Sequence, residues 1–87
     1  MDPVRAFPQS IESERALLGG LMLRPDLLHE MSMLVRPGDF YRDEHGALFQ
    51  LLVEMAARGE QIDQVTVPER VARGDGEGKY GGVSYVV

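Results

Sequence analysis

Ser10-Ile11-Glu12-Ser13-Glu14-Arg15-Ala16-Leu17-Leu18-Gly19-Gly20-Leu21-Met22-Leu23 is the stretch whose reading decides the fold. Advancing about 100° per residue, Ile11, Leu17, Leu18, Leu21 and Met22 fall within one arc of roughly 140°, which marks the buried face of an amphipathic helix. Pro8 keeps the approach extended, because proline lacks the N–H that a strand or helix interior needs. The Ser10 hydroxyl is suited to accept from a free N–H of the first turn. Glu12 and Glu14 follow at the positive end of the helix dipole. Two features break the pattern. Glu14 lies inside the apolar arc, and Gly19 and Gly20 sit mid-helix, where each costs about 1 kcal/mol relative to alanine.

Working outward, residues 1–9 hold two prolines and no periodicity, and read as an extended arm ahead of one domain over 10–87. Arg24-Pro25-Asp26 breaks the first helix, and Pro25 suits the first turn of the next. The second helix is expected from about Asp26 to Val35, with Leu27, Met31, Leu34 and Val35 inward, Leu28 at the edge and Met33 outward. Arg36-Pro37-Gly38 stops it. Phe40 and Tyr41 are expected to plug the space between helices. A third helix is expected over about Asp43–Arg58, with Leu48, Phe49, Leu51, Leu52, Met55 and Ala56 as its stripe and Gly59 at its C-terminal cap. Glu60 to Val65 is a polar connector with Ile62 and Val65 as apolar anchors. Thr66-Val67-Pro68-Glu69 reads as a capping box opening a short fourth helix that ends at Gly74. Five glycines in residues 74–82 form a loop, and Val83-Ser84-Tyr85-Val86-Val87 reads as the start of a fifth helix. Four to five helices with short connectors and no strand predict an all-α, small orthogonal bundle.

The composition excludes several functions. With 87 residues, 44% of them hydrophobic, the chain has enough for one core and too little for two. There is no cysteine, hence no disulfide framework, Cys-ligated zinc or thiol catalysis. The net charge of -5 disfavours a nucleic-acid or membrane surface, so no direct DNA binding is expected. No run is long enough to span a bilayer and the N-terminus is not a signal peptide, so a soluble, cytoplasmic domain is expected. Gly76-Glu77-Gly78-Lys79-Tyr80-Gly81 matches G-x-G-x-x-G but follows a helix rather than a strand, and the phosphate-loop pattern fails at Arg73 and Tyr80, so no cofactor is expected. No metal site is expected either, because neither H-x-x-x-H nor H-E-x-x-H occurs.

Four polar or small positions remain to be accounted for. His45 falls in the centre of the third helix's apolar stripe, and Glu14 is the matching exception on the first. A buried carboxylate without a partner is unfavourable by several kcal/mol. Either the two meet across the helix contact, or each bonds backbone from a connector such as Asp39-Phe40-Tyr41. Read as catalysts instead, they would require an open polar cleft. Gly19 and Gly20 would let another backbone come close to the first helix, from this domain or from a partner subunit.

In order and spacing, Pro8-x-Ser10-x-Glu12-x-Glu14, Leu18-Gly19-Gly20-Leu21-Met22-Leu23, Arg36-Pro37-x-Asp39-Phe40-Tyr41-Arg42-x-x-His45-x-x-x-Phe49, Arg58-Gly59-x-x-Ile62-Asp63-x-Val65-Thr66 and Gly81-Gly82-x-x-Tyr85 resemble the N-terminal domain of the bacterial replicative helicase family, DnaB. The resemblance implies an all-α head that self-associates as a dimer or a hexamer collar, a trimer of dimers, and docks primase or a helicase-loading factor. In that family a helical hairpin and an ATPase domain follow, so this chain is expected to be no enzyme by itself. The resemblance makes Glu12 and Tyr85 the partner-binding candidates, with Glu14, His45, Gly19 and Gly20 structural. A stand-alone adaptor or inhibitor of the same fold, from a phage or mobile element and aimed at host helicase or primase, is the alternative. Arg15, Gly46 and the glycine-rich 74–78 stretch depart from the family pattern.

Overall fold

In the computed structural model of the chain, residues 11–74 are described. The extended arm, the Ser10 cap, the glycine loop after Gly74, the fifth helix and Tyr85 lie outside them. Among the described residues there are four α-helices and no strand: α1 (Ile11–Leu23), α2 (Leu28–Leu34), α3 (Asp43–Ala57) and α4 (Thr66–Gly74), with 3-10 turns at Pro25–Leu27 and Pro37–Asp39. The protein is all-α.

The core forms around α3 rather than around α1. Residues Leu48, Phe49, Leu51, Leu52 and Met55 are buried along α3, together with His45 and Gly46. Helices α1 and α2 and the turn Pro37–Asp39 all contact it. Leu18 and Leu21 of α1, Leu28 of α2, and Val67 and Val71 of α4 complete the core. The α1 arc narrows in the fold. Its centre is buried at Glu14, Leu18 and Leu21, its edges Leu17 and Met22 are half-buried, and Ile11 is exposed.

Helix α2 corrects the expected stripe. Leu28 and Val35 are buried with Met31 beside them, while Leu27 and Leu34 are exposed. Helix α2 thus keeps Met31 and Val35 in its buried stripe and exchanges Leu27 and Leu34 for Leu28. Its entry is a 3-10 turn closed by Leu27 N–H donating to the Arg24 carbonyl at 3.0 Å. An Arg24–Asp26 pair braces that turn from outside. The aromatic connector also divides. Phe40 is buried against Phe49, ring centroids 5.3 Å apart, whereas Tyr41 is exposed. Ala56 and Val65 likewise lie outside the core.

Gly59 ends α3 with φ of 71°. Glu60 N–H reaches the Met55 carbonyl at 2.9 Å and Gly59 N–H reaches that of Ala56 at 3.1 Å, which is the Schellman pattern. At α4 the cap lies one turn earlier than expected. The Asp63 carboxylate accepts from Val65 and Thr66 N–H, and the Thr66 hydroxyl accepts from Asp63 N–H at 3.0 Å. Thr66 is thus the far half of the box rather than its start. Bonds from Thr66 and then Val65 N–H hold the Asp63 carboxyl below its ordinary value of 3.8. A depressed folded-state pKa contributes stability above the unfolded value that is lost as pH falls through the folded one. The Tm difference between the parent chain and Asp63→Ala is therefore expected to be full at neutral pH and to shrink as pH drops below about 3.8; a thermal melt series across that range checks it.

The glycines differ in what surrounds them. A Cβ on Gly19 or Gly20 would meet nothing within 4 Å, so no described part of this domain makes a close approach there. A Cβ on Gly46 would stand 2.2 Å from the Pro37 carbonyl oxygen. That carbonyl belongs to a closed turn, where it also accepts from Phe40 N–H. Gly46, which from sequence only departs from the family pattern, is where α3 must be bare. Gly19→Ala is expected to raise stability by about 0.4–1 kcal/mol. Gly46→Ala is expected to lower it by about 1–3 kcal/mol, since overpacking against backbone outweighs about 1 kcal/mol of helix propensity. Urea midpoints moving in opposite directions would verify the pair.

Candidate functional site

Helix α3 begins without a local cap. Arg42 stands at the N-cap position with extended backbone, and its side chain makes no cap hydrogen bond. Its guanidinium turns instead to Glu44, holding that carboxyl below its usual range. The missing acceptor comes from α1. Glu14 Oε2 accepts from Tyr41 N–H, and Oε1 accepts from Arg42 N–H at 3.3 Å and from His45 Nδ1–H at 2.7 Å. A carboxylate is acceptor-only, so its partner nitrogen on His45 carries the proton. Glu14 is 0% exposed and His45 1%. Three donors and the positive end of the α3 dipole offset the desolvation of the carboxylate.

This arrangement combines the two solutions open to the sequence, since the carboxylate meets both the histidine and the connector backbone. The catalytic reading required an open polar cleft around the pair, whereas both side chains are buried. The pair is closed off, and the lone pairs of Glu14 face backbone donors rather than a substrate. Among the described residues no cluster of His, Cys, Asp and Glu could hold a metal ion. Among them, too, no helix is long and apolar enough to cross a membrane.

What α1 does present is a groove. It runs along the flank next to the buried arc, between α1 and the starts of α3 and α4, with a volume of about 470 Å³. Ala16, Gly19, Met22 and Leu48 supply an apolar lining, Pro68 closes the α4 side, and His45 lies in the floor. Glu12 and Arg15 stand on its α1 side. The volume falls in the range of binding clefts. Of the residues singled out from sequence, the groove gathers Glu12, Gly19 and the inner edge of His45. Gly20 is not part of its lining. Tyr85 lies outside the described residues. Sequence reasoning placed Met22 simply in the core and did not find the groove. Its only local signal is Gly19, a helix-interior glycine that nothing within the described domain requires.

A family model for the DnaB-like helicase N terminal domain matches residues 6–87. The chain is 43% identical over 82 residues to the replicative DNA helicase DnaB of Geobacillus stearothermophilus, covering 94% of this chain and 18% of that protein. It is 39% identical over 82 residues to the replicative DNA helicase DnaC of Bacillus subtilis (strain 168), again covering 94% and 18%. Against the DnaB of Mycobacterium leprae (strain TN) it is 33% identical over 82 residues, covering 94% of this chain and 14% of that one. The chain thus spans less than a fifth of the length of these relatives. The chain belongs to the DnaB-like helicase N-terminal domain family.

Proposed function

We propose that the chain is the interaction head of a replicative helicase, acting in cytoplasmic DNA replication by assembling with its own copies into a collar and by docking primase or a loading factor. The observation that carries this reading is the open groove on α1 in a member of this family, whose buried polar pair is closed to substrate. The net charge of -5 also favours a protein-facing role over a DNA-facing one. ATP hydrolysis and unwinding belong, in this reading, to the regions of the relatives with which the chain does not align. Glu12, on the α1 side of the groove, is a partner-contact candidate, and Tyr85 is the other.

A pull-down of this chain with the C-terminal domain of the cognate primase tests the docking. Binding that weakens about tenfold or more with Glu12→Ala supports Glu12 as a contact, while helix content stays unchanged. No capture by the parent chain overturns the primase half of the proposal.

A further inference from the structure

The arginines of this chain are not equally provided with acceptors. Arg24 donates to Asp26 through both Nε and Nη2, at 3.0 and 2.9 Å. Arg42 meets Glu44 through the same two atoms. Where α3 gives way to α4 the ratio reverses. One carboxylate, Glu60, stands between two guanidiniums, with Arg58 Nη1 at 3.8 Å and Arg70 Nε at 3.5 Å. Both distances exceed the roughly 2.7–3.2 Å of an N–H···O bond. Arg70 Nε is buried and has no hydrogen-bond acceptor among the described residues. Arg73, one turn beyond Arg70 on α4, forms no ion pair among them.

We propose that Arg58, Arg70 and Arg73 form a docking site for an acidic peptide segment of a partner protein, whose Asp or Glu carboxylates supply the acceptors that Glu60 does not. Three observations support this. First, a guanidinium takes a carboxylate through two parallel N–H···O bonds, the arrangement already present at Arg24 and missing at Arg58 and Arg70. Second, the cluster stands on fixed backbone. Glu60 N–H is bonded to the Met55 carbonyl at 2.9 Å, and buried Val67 and Val71 hold α4 on the core. Third, the helix dipole accounts for a cation in a last turn, as with Arg58 and Arg73, but not for Arg70 in the middle of α4. A phosphate would satisfy the same fork, yet DNA and RNA present it as a polyanion, which the net charge of -5 repels. A short acidic segment meets the local arginines with far less of that repulsion. None of these residues lines the α1 groove, so the site is a second surface and does not depend on what the groove binds.

A titration with tetraglutamate, followed by two-dimensional NMR through the backbone amides and the arginine Nε–H groups at about 50 mM salt, tests this. The parent chain is expected to bind with a Kd of about 1 mM or tighter, with shifts centred on Arg58, Glu60, Arg70 and Arg73. Arg58→Gln and Arg70→Gln are each expected to weaken binding about tenfold. Arg58 is 64% exposed, so its variant keeps the test valid where Arg70→Gln disturbs folding. Glu60→Gln is expected to tighten binding about threefold or more, because the competing carboxylate is gone. Arg24→Gln, at an arginine already provided with its acceptor, is expected to change nothing.

No shifts up to about 10 mM peptide overturn the proposal. An Arg24→Gln variant that weakens binding as much as Arg58→Gln reduces it to diffuse attraction, and Glu60→Gln binding more weakly than the parent makes Glu60 part of the contact rather than a competitor. A ten-residue oligothymidylate that binds more tightly than tetraglutamate, with the same dependence on Arg58 and Arg70, reassigns the site to nucleic acid.

Discussion

Glu14→Ala is expected to lower the unfolding free energy by about 3–5 kcal/mol, the range for removing one partner of a buried, hydrogen-bonded pair. The change strands Tyr41 N–H, Arg42 N–H and His45 Nδ1–H without their shared acceptor. At roughly 0.05–0.15 kcal/mol per residue, a domain of this length has about 4–13 kcal/mol in total. The variant is therefore close to unfolded at physiological temperature. Glu14→Gln keeps the volume but puts an NH₂ group where donors converge, so one N–H still faces a donor. Its expected effect is smaller, about 1–3 kcal/mol. Urea unfolding ranks the two, and amide exchange at Tyr41 and Arg42 should accelerate selectively in both. A Glu14→Ala variant within about 1 kcal/mol of the parent would mean that the carboxylate is not the cap of α3.

Phe49→Ala is expected to lower stability by a similar amount, about 3–5 kcal/mol, through transfer and cavity terms together. Phe49 is 1% exposed in the middle of α3, where α1 and α2 both meet that helix, and it loses its ring contact with Phe40 as well. By contrast, Tyr41→Ala at the neighbouring exposed position should stay within about 0.5 kcal/mol. The contrast separates two aromatics that look equivalent in sequence. In a domain of this size each kcal/mol shifts Tm by about 4–8 °C, so thermal melts resolve Phe49→Ala from Tyr41→Ala without difficulty. A small Phe49→Ala effect would place the core elsewhere than around α3.

Much of the architecture is legible in the sequence. The bounds of α1, α3 and α4, the all-α class and the glycine that ends α3 follow from local rules. Periodicity marks a helix, a proline or glycine ends it, and a positive φ calls for Gly59. The polar exceptions on apolar faces single out Glu14 and His45, because a buried polar group demands a partner.

Other features depend on what the helices meet. Helix α2 offers two apolar rows one residue apart, Leu27/Met31/Leu34 and Leu28/Met31/Val35, and a hydropathy pattern weighs them alike. Packing against α3 through a 3-10 entry turns the second inward and leaves the first as a ridge. Nothing local distinguishes Gly46, which must be bare, from Gly19, which need not be within this domain. The difference is the Pro37 carbonyl, nine residues earlier in the chain and 2.2 Å from an added Cβ. The cap on α3 is likewise invisible locally, since the acceptor for Arg42 N–H stands 28 residues upstream on another helix. The sequence alone determined which segments are helices and which polar groups need partners, because both follow from short-range sterics and desolvation. Which faces turn inward, which glycine is obligatory and whose carboxylate caps α3 were decided only by the tertiary structure. Those are matters of volume and donor geometry between residues far apart in the chain.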